Sequence, residues 1–164
     1  MEEVIIPNSI STDEEGYELL IKQICSLLVK DEPELSNLSN LTAALKQTFN
    51  KISWVGFYLF DGEKLYLGPF QGKVACSVIK LNEGVCGKAA STRETIIVPD
   101  VNKFEGHIAC DADSKSEIVV PIFKKDNSLF GVLDLDSTEY NSFNKTDKKY
   151  LEEICNFLVE EIIH

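Results

Sequence analysis

The most reactive side chain that the sequence offers is a cysteine in an acidic segment. Cys110 lies in HIACDADSKSEIVVPIF, residues 107–123, and the carboxylates Asp111, Asp113 and Glu117 follow it closely. A cysteine in such a place acts as a nucleophile, binds a metal ion or fills part of a core. A polar, acidic loop suits a core thiol poorly, so the choice depends on the groups that the chain brings to Cys110.

The chain lacks the residue spacings that are typical of metal and phosphate sites. Cys76 and Cys86 lie ten residues apart, Cys110 follows a further twenty-four residues on, and no Cys-x-x-Cys or paired histidine motif occurs. DADSKSE lacks the central glycine and the terminal glutamate of a calcium loop, and GVCGKAAS lacks two essential positions of a phosphate-binding loop. We therefore predict no metal ion and no NTPase activity, and we interpret Asp111 and Asp113 as solvated loop residues.

Two further carboxylates lie on one face of a predicted strand. In LFGVLDLDS, residues 129–137, Asp134 and Asp136 project from the same side as Phe130 and Val132, because alternate residues of a strand share a face. An exposed sheet face explains such a pair, and so does a pocket that binds a cation or donates a proton. In a partly dehydrated pocket, neighbouring carboxylates cannot all ionise cheaply, so one of them should have a raised pKa.

Trp54, Gly56 and Tyr58 form a comparable face on the first predicted strand. Two aromatic rings there flank a residue without a side chain, an arrangement that leaves room for a ligand slot. Packing of both rings in the core is the alternative interpretation.

The elements that must position these residues follow from hydrophobic periodicity and turn signals. The sequence predicts helices at 17–30, 39–49, 84–92 and 144–163, hairpins over 52–70 and 116–137, and single strands within 74–81 and 94–100. Their order indicates an α+β fold, with a mainly antiparallel central sheet of about six strands and the N- and C-terminal helices packed on one face. The chain divides into N-terminal helices (1–50), a sheet with active-site loops (51–143) and a C-terminal helix (144–164).

Composition narrows the class of protein further. A chain of 164 residues suits one domain, and a hydrophobic content of 44% is ample for one core. A formal charge of -11 disfavours nucleic acid and anionic membranes as partners. The N-terminal residues show neither a basic signal region nor a sustained apolar run, so we expect a cytoplasmic protein whose cysteines are reduced at rest.

Five segments together resemble the free methionine-(R)-sulfoxide reductases, a family of single-domain GAF proteins. They are LGPFQGKVAC, GVCGKAAS, VPDVNKFEGHIACD, SEIVVP and GVLDLDS, and the resemblance extends from about Trp54 to the C-terminal helix. It implies a single GAF domain over residues 1–164 that reduces free L-methionine-(R)-sulfoxide to L-methionine. One departure is Glu105 in FEGH, where the family has proline, and it makes the loop before Cys110 less rigid and more acidic.

The resemblance also implies roles for three cysteines. Cys110 in GHIACD corresponds to the catalytic nucleophile, Cys76 in KVAC to its resolving partner, and Cys86 in GVCG to an auxiliary thiol. Cys25 and Cys155 match no motif cysteine, and helical spacing predicts that both lie in or next to the core. We therefore expect no redox role for these two thiols.

The family's substrate pocket combines aromatic residues of the first strand with acidic residues of two later strands. The matching positions are Trp54, Tyr58, Glu117, Asp134 and Asp136. The strand alternation described above selects four of these residues independently of the resemblance. A free α-ammonium group pairs with carboxylates, whereas a peptide-bound methionine offers only a neutral amide, so the pocket is expected to select the free amino acid.

The implied reaction needs no bound cofactor. The Cys110 thiolate attacks the sulfoxide sulfur, a protonated carboxyl group donates to the oxygen, and methionine leaves a cysteine sulfenic acid. Cys76 then forms a disulfide, which requires the Cys110 loop to act as a mobile lid, and a thioredoxin-like dithiol reduces that bond. Cys86 is expected to relay electrons, because the start of a helix favours a thiolate. The family often forms homodimers, so a second copy of the chain is one expected partner.

Two other functions remain open at the level of sequence. One is a sensory GAF module that binds a nucleotide or another small ligand, although such modules are usually tethered to an effector domain. The other is a redox sensor in which Cys110 and Cys76 form a regulatory disulfide without sulfoxide turnover. Replacing Cys110 by serine abolishes turnover only under the enzymatic hypothesis.

Overall fold

The computed structural model describes residues 4–7, 10–108 and 111–164. The helices are α1 (Asp13–Leu27), α2 (Glu34–Thr48), α3 (Gly84–Thr92) and α4 (Lys145–Glu161), with a short 3-10 turn at Val101–Lys103. The strands are β1 (Trp54–Phe60), β2 (Lys64–Gln71), β3 (Val78–Lys80), β4 (Ile96–Val98), β5 (Ser116–Phe123) and β6 (Leu129–Ser137).

The six strands form one antiparallel sheet in the order β3-β2-β1-β6-β5-β4. Both predicted hairpins are present, and the turn between β1 and β2 is closed by the side chain of Asp61, which accepts the backbone N–H groups of Glu63 and Lys64. The central strands β1 and β6 are far apart in sequence, and their pairing brings the two predicted site faces together. The predicted α+β architecture is confirmed.

Each face of the sheet has its own hydrophobic cluster. On one face, α1, α2 and α4 cover residues such as Val55, Phe57 and Leu135, which are fully buried. On the other face, α3 and the loops cover Trp54 and Tyr58. The three long helices therefore lie on one face, as predicted, and the opposite face is left to a short helix and loops.

Helix boundaries depend on caps more than on apolar spacing. Helix α1 begins four residues before the predicted start because Thr12 and Glu15 form a capping box. Helix α2 begins directly after Pro33 and includes a polar stretch that we predicted to be a loop. That stretch tolerates a helical conformation because the side chain of Asn37 bonds to both the backbone N–H and the carbonyl of Val29.

Three other predictions were wrong in detail. Strand β3 has only three residues. Cys25 is exposed, whereas Cys155 is buried as expected. Phe130 packs in the cluster under the long helices rather than on the face of Val132, because a shift in the β5–β6 register between Ile122 and Phe123 breaks the strict alternation.

Within the described part of the chain, no helix combines the length and apolarity that crossing a membrane requires.

A buried ionic network joins the helical layer to the start of β1. The Nζ atom of Lys51 lies 2.7 Å from Oδ1 of Asp147 and 2.6 Å from Oδ2 of Asp13, and Tyr17 donates its hydroxyl to the same Asp147 oxygen at 2.9 Å. Asp147 is fully buried, whereas the Asp13 side chain is 41% exposed. The buried carboxylate therefore depends on Lys51 for its counter-charge.

We expect Lys51→Met to lower the free energy of unfolding by about 3 kcal/mol, because it leaves a buried carboxylate without a cation. Asp13→Asn is the matched control and should cost less than about 1 kcal/mol, since its carboxylate is solvent-screened. Urea unfolding followed by circular dichroism measures both. Equal effects of the two substitutions would contradict the assignment of Lys51 to Asp147.

Candidate active site

The pairing of β1, β6 and β5 places the predicted residues in neighbouring rows on the face opposite the long helices. Trp54 pairs with Asp136, and Asp136 pairs with Glu117 on the other side. In the next row, Gly56 pairs with Asp134. The two faces that were predicted separately from strand alternation are therefore one continuous surface.

A cavity lies over this surface. All five predicted substrate-binding residues line it, together with Cys86 at the start of α3, Val74 and Ala75 before Cys76, and His107, Ile108 and Asp111 on both sides of residues 109–110. Ala109 and Cys110 lie outside the described residues, so the predicted position of the nucleophile is not tested. The described neighbours of both Cys76 and Cys110 nevertheless reach the same cavity.

Three carboxyl groups dominate the electrostatics of the cavity. Glu117 and Asp134 are each only 6% exposed, and Oδ1 of Asp134 has no hydrogen-bond partner among the described residues. Burial, with the charge of Asp136 adding to it, raises the pKa of Glu117 well above its usual value. Burial and the neighbouring charges of Glu117 and Asp136 do the same for the pKa of Asp134. The sequence predicted that one carboxyl group would have a raised pKa, and both Glu117 and Asp134 show this shift.

Asp136 differs from the other two carboxyl groups because it has hydrogen-bonding and electrostatic support. Burial raises its pKa to about 6, while the Ser114 hydroxyl, which donates to Oδ1 at 2.5 Å, and the nearby His107 limit the rise. Asp136, with a pKa of about 6, is therefore the most readily ionised of the three groups near neutral pH, whereas burial favours the protonated forms of Glu117 and Asp134. The cavity thus combines one group suited to bind a cation with two groups suited to donate a proton.

Trp54 is clamped at one side of the cavity. Its Nε1 donates to the carbonyl oxygen of Lys73 at 3.0 Å, and its ring stacks on Phe70 with a centroid distance of 5.5 Å. A Cβ atom on Gly56 would lie 2.4 Å from the indole, and one on Gly72 would lie 2.5 Å from it. The slot predicted over Gly56 is thus occupied by the indole itself, and the glycines serve to seat Trp54 rather than a ligand.

Cys86 does not behave as predicted from its place at the start of α3. It is a free thiol and is 3% exposed. Burial and the adjacent Asp134 and Glu117 raise its pKa well above the usual value. The expectation that the helix start would favour a thiolate is wrong here, because desolvation and two acidic neighbours outweigh the helix dipole. Cys76 is half-buried and disulfide-bonded.

A salt bridge connects the loops next to the two cysteines. Lys73 Nζ lies 2.5 Å from Oδ2 of Asp113 and 3.5 Å from Oδ1 of Asp111. Asp111 also accepts the backbone N–H of Asp113 and is half-buried at the cavity. Asp111 is therefore not merely solvated, whereas Asp113 is exposed as predicted, although it pairs with a lysine from the β2–β3 connection.

Three further residues contribute to the site that the sequence did not predict: His107, Ser114 and Lys73. His107 places Nε2 3.6 Å from Oε2 of Glu117, and Ser114 bonds to Asp136. The only available signal was that His107, one of two histidines in the chain, lies three residues before Cys110. Nothing in the sequence indicates that Lys73 crosses to the aspartates, because that contact depends on how two loops fold over the sheet.

Comparison with known proteins identifies relatives of this chain and agrees with its fold. Residues 36–160 match the GAF domain family. The free methionine-R-sulfoxide reductase of Saccharomyces cerevisiae is 52% identical over 128 residues, which cover 76% of this chain and 71% of that protein. The Escherichia coli free methionine-R-sulfoxide reductase is 42% identical over 140 residues, covering 85% of this chain and 84% of that protein.

A solved structure extends the similarity to the fold. The free methionine-R-sulfoxide reductase of Neisseria meningitidis, solved in complex with its substrate, is 41% identical, with a TM-score of 0.90 over 97% of this chain and 95% of that chain. The protein described here is a GAF domain protein, and within that class it belongs to the free methionine-R-sulfoxide reductase family.

The seat of Trp54 gives a direct test of the site geometry. We expect Gly56→Ala to displace the indole, to lower the free energy of unfolding by about 1 to 3 kcal/mol, and to shift the tryptophan emission. Trp54 is the only tryptophan, so its fluorescence reports on this position alone.

Gly68→Ala is the control, because an added Cβ there would contact Leu59 and the backbone of Phe57 rather than Trp54. It should leave the emission spectrum unchanged. An unchanged spectrum and unchanged stability in Gly56→Ala would show that the indole is not held against the β1 backbone.

Proposed function

We propose that this protein reduces free L-methionine-(R)-sulfoxide to L-methionine. The observation that carries the proposal is the set of three buried or half-buried carboxyl groups beside Trp54 and Tyr58, in a cavity reached by the described neighbours of Cys76 and Cys110. The names of the yeast and Escherichia coli relatives support the same activity. The proposal makes the protein an oxidoreductase.

Recognition of the free amino acid rests on Asp136. Its carboxylate is ionised at neutral pH and pairs with the α-ammonium group of the substrate. Trp54 and Tyr58 provide an aromatic wall for the sulfur-bearing side chain, since sulfur packs favourably against aromatic rings. A peptide-bound methionine sulfoxide has no ammonium group and is therefore excluded.

Protonation of the sulfoxide oxygen is assigned to Glu117 and Asp134. Burial and neighbouring negative charge raise the pKa values of both groups, with Asp136 acting on Glu117 and both Glu117 and Asp136 acting on Asp134, so their protonated forms are favoured. The Cys110 thiolate attacks the sulfoxide sulfur and forms an S–S bond, and the protonated oxygen leaves as water when the S–O bond breaks. Water then attacks the Cys110 sulfur, the S–S bond breaks, methionine leaves, and Cys110 becomes a sulfenic acid. The sulfur of the substrate is reduced by two electrons, and Cys110 is oxidised by two.

Return to the resting state uses the other thiols and an external dithiol. The Cys76 thiol attacks the sulfenic acid, water leaves, and a Cys76–Cys110 disulfide forms. A thioredoxin-like dithiol in the cytoplasm then reduces this bond by exchange. Cys86 serves as an auxiliary thiol after the cavity opens to water, because the closed cavity disfavours its thiolate. The chain is also proposed to form a homodimer, because members of the family that it resembles often do.

Opening of the cavity is part of the proposed cycle. As described, the cavity has room for the centres of only about three water molecules. Free methionine sulfoxide, whose side chain alone has five non-hydrogen atoms, needs more space. The loop around residues 107–114 therefore acts as the lid, with the Lys73 salt bridges as its closing contacts.

Turnover of the free R-sulfoxide is the direct test, measured as NADPH oxidation coupled through thioredoxin reductase and thioredoxin. We expect turnover with this substrate and none with the S-epimer or a peptide-bound sulfoxide. Cys110→Ser should abolish turnover, whereas Cys76→Ser should still release one equivalent of methionine in a single turnover.

Cys25→Ser is the control for the cysteine variants, since this exposed thiol lies outside the cavity lining. It should keep full activity. Absence of turnover with all three substrates would reject the enzymatic proposal. If the protein then still bound methionine, a ligand-sensing GAF domain would be the better description; a reversible disulfide without turnover would favour a redox sensor.

The role of Asp136 predicts a change in specificity. Asp136→Asn removes the charge that pairs with the ammonium group, so KM for the free sulfoxide should rise by about 10- to 100-fold, in line with the loss of a charged hydrogen bond. The preference for the free over the N-acetylated sulfoxide should shrink by a similar factor. A fall in kcat with an unchanged preference would instead assign Asp136 to the protonation step.

A further inference from the structure

A group of potential metal ligands lies on the floor of the cavity. The sulfur of Cys86 and one carboxyl oxygen each from Glu117 and Asp134 all lie within 4.8 Å of one another. These three side chains come from α3, β5 and β6, and all three are buried. No spacing motif joins these three residues in the sequence, so the sequence alone does not indicate a metal site here.

A second observation points to a missing cation. Oδ1 of Asp134 is buried and has no hydrogen-bond partner among the described residues, and the residue as a whole is only 6% exposed. An unsatisfied carboxyl oxygen in a cavity is costly, and a bound cation satisfies it without any change of fold. Glu117, beside it, carries a second carboxyl group that a dication would stabilise in the same way.

A fourth ligand is within reach from the lid. Nε2 of His107 lies 3.6 Å from Oε2 of Glu117. Ligand atoms around a tetrahedral zinc ion are about 3.3 to 3.8 Å apart, given bonds of about 2.0 to 2.3 Å. The His107–Glu117 distance already falls in that interval, and the ligand atoms of Cys86, Glu117 and Asp134 need to approach one another by no more than about 1.5 Å, which side-chain rotation provides. His107 lies outside the 4.8 Å cluster of those three atoms and must move further toward Cys86 and Asp134 to complete the site.

We propose that the reduced protein binds one Zn²⁺ ion through Cys86, Glu117, Asp134 and His107, and that this ion excludes the substrate. The ligand set selects the metal: a cysteine sulfur and a histidine nitrogen suit zinc and other borderline cations, whereas calcium and magnesium are hard cations that take oxygen ligands. The ion and the substrate need the same carboxyl groups, so they compete. The proposed metal site does not depend on the proposed function. Only the inhibition by zinc rests on the proposed function.

Zinc binding is measured by competition with a chromophoric chelator, using protein reduced by a phosphine that does not bind the metal. The Cys76→Ser, Cys110→Ser double variant serves as the reference, because it removes other thiols near the cavity. We expect one equivalent of zinc per chain in this reference. Cobalt substitution should give the absorption bands of a tetrahedral ion with a thiolate ligand, which a surface site would not produce.

Two further substitutions in the reference background, made on different elements, identify the ligands. Cys86→Ala and Asp134→Asn should each weaken zinc binding by more than the roughly 10- to 100-fold typical of residues next to a metal's ligands. Cys25→Ser, an exposed cysteine on α1, is the matched control and should bind zinc as the reference does. Circular dichroism shows whether each variant is folded. Zinc binding that survives both ligand substitutions, or no binding at all, would overturn the metal site.

The inhibitory role is tested on the wild-type enzyme. Zinc should raise KM for the sulfoxide without changing kcat, and excess methionine should weaken the apparent zinc affinity. If zinc binds at Cys86 but KM of the active enzyme does not change, the proposed inhibition is wrong and the metal site still stands. If the zinc-free protein shows no turnover, the proposed function is rejected. Binding competition between zinc and methionine then still tests whether the two ligands use the same carboxyl groups.

Discussion

The burial of three carboxyl groups on one face of the sheet is the constraint on which the rest of the structure depends. Glu117, Asp134 and Asp136 lie on two adjacent strands, with Trp54 and Gly56 beside them on β1. Like charges so close together in a dehydrated space oppose folding unless protons or a cation bind. Folding therefore takes up protons. Asp136, for example, has a folded pKa of about 6 against about 3.9 when unfolded, so its contribution to stability falls as pH rises through that interval.

The opposite face of the sheet compensates for this cost. Three long helices bury an apolar cluster there, and their junction with β1 is fixed by the contact of Lys51 with the buried Asp147. The two faces of the sheet are covered differently. Helix α3 on the site face is short and leaves space for the cavity, which a long apolar helix would fill. The fold thus separates the surface that provides stability from the surface that binds.

A single residue connects the floor of the cavity to the loops above it. Lys73 holds the indole of Trp54 through its carbonyl oxygen and contacts Asp111 and Asp113 through its ammonium group. The position of the aromatic wall and that of the segment around Asp111 and Asp113 are consequently linked through one residue. The proposed substrate and the proposed zinc ion would use the same acidic floor, because an ammonium group and a metal ion are both cations that satisfy buried carboxyl oxygens. The proposed competition between them follows from that shared chemistry.

The sequence by itself determined the elements, the class of fold and the acidic face. Strand alternation and turn residues have short-range causes, so the hairpins, α3 and the shared face of Asp134 and Asp136 could be predicted from the chain. The resemblance of five motifs also led to the family. Boundaries were less predictable than the elements: a capping box sets the start of α1, and α2 begins directly after Pro33 without a side-chain cap.

Only the tertiary structure decided the environment of each group. Desolvation depends on everything that packs around a side chain, so it could not be predicted that Cys86 would be disfavoured as a thiolate or that Asp136 would remain the ionised acid. The indole over Gly56, the Lys73 bridge and the ligand cluster at Cys86 join residues that are distant in sequence. Local pattern determines which residues share a face; long-range packing determines which of them touch and which are charged.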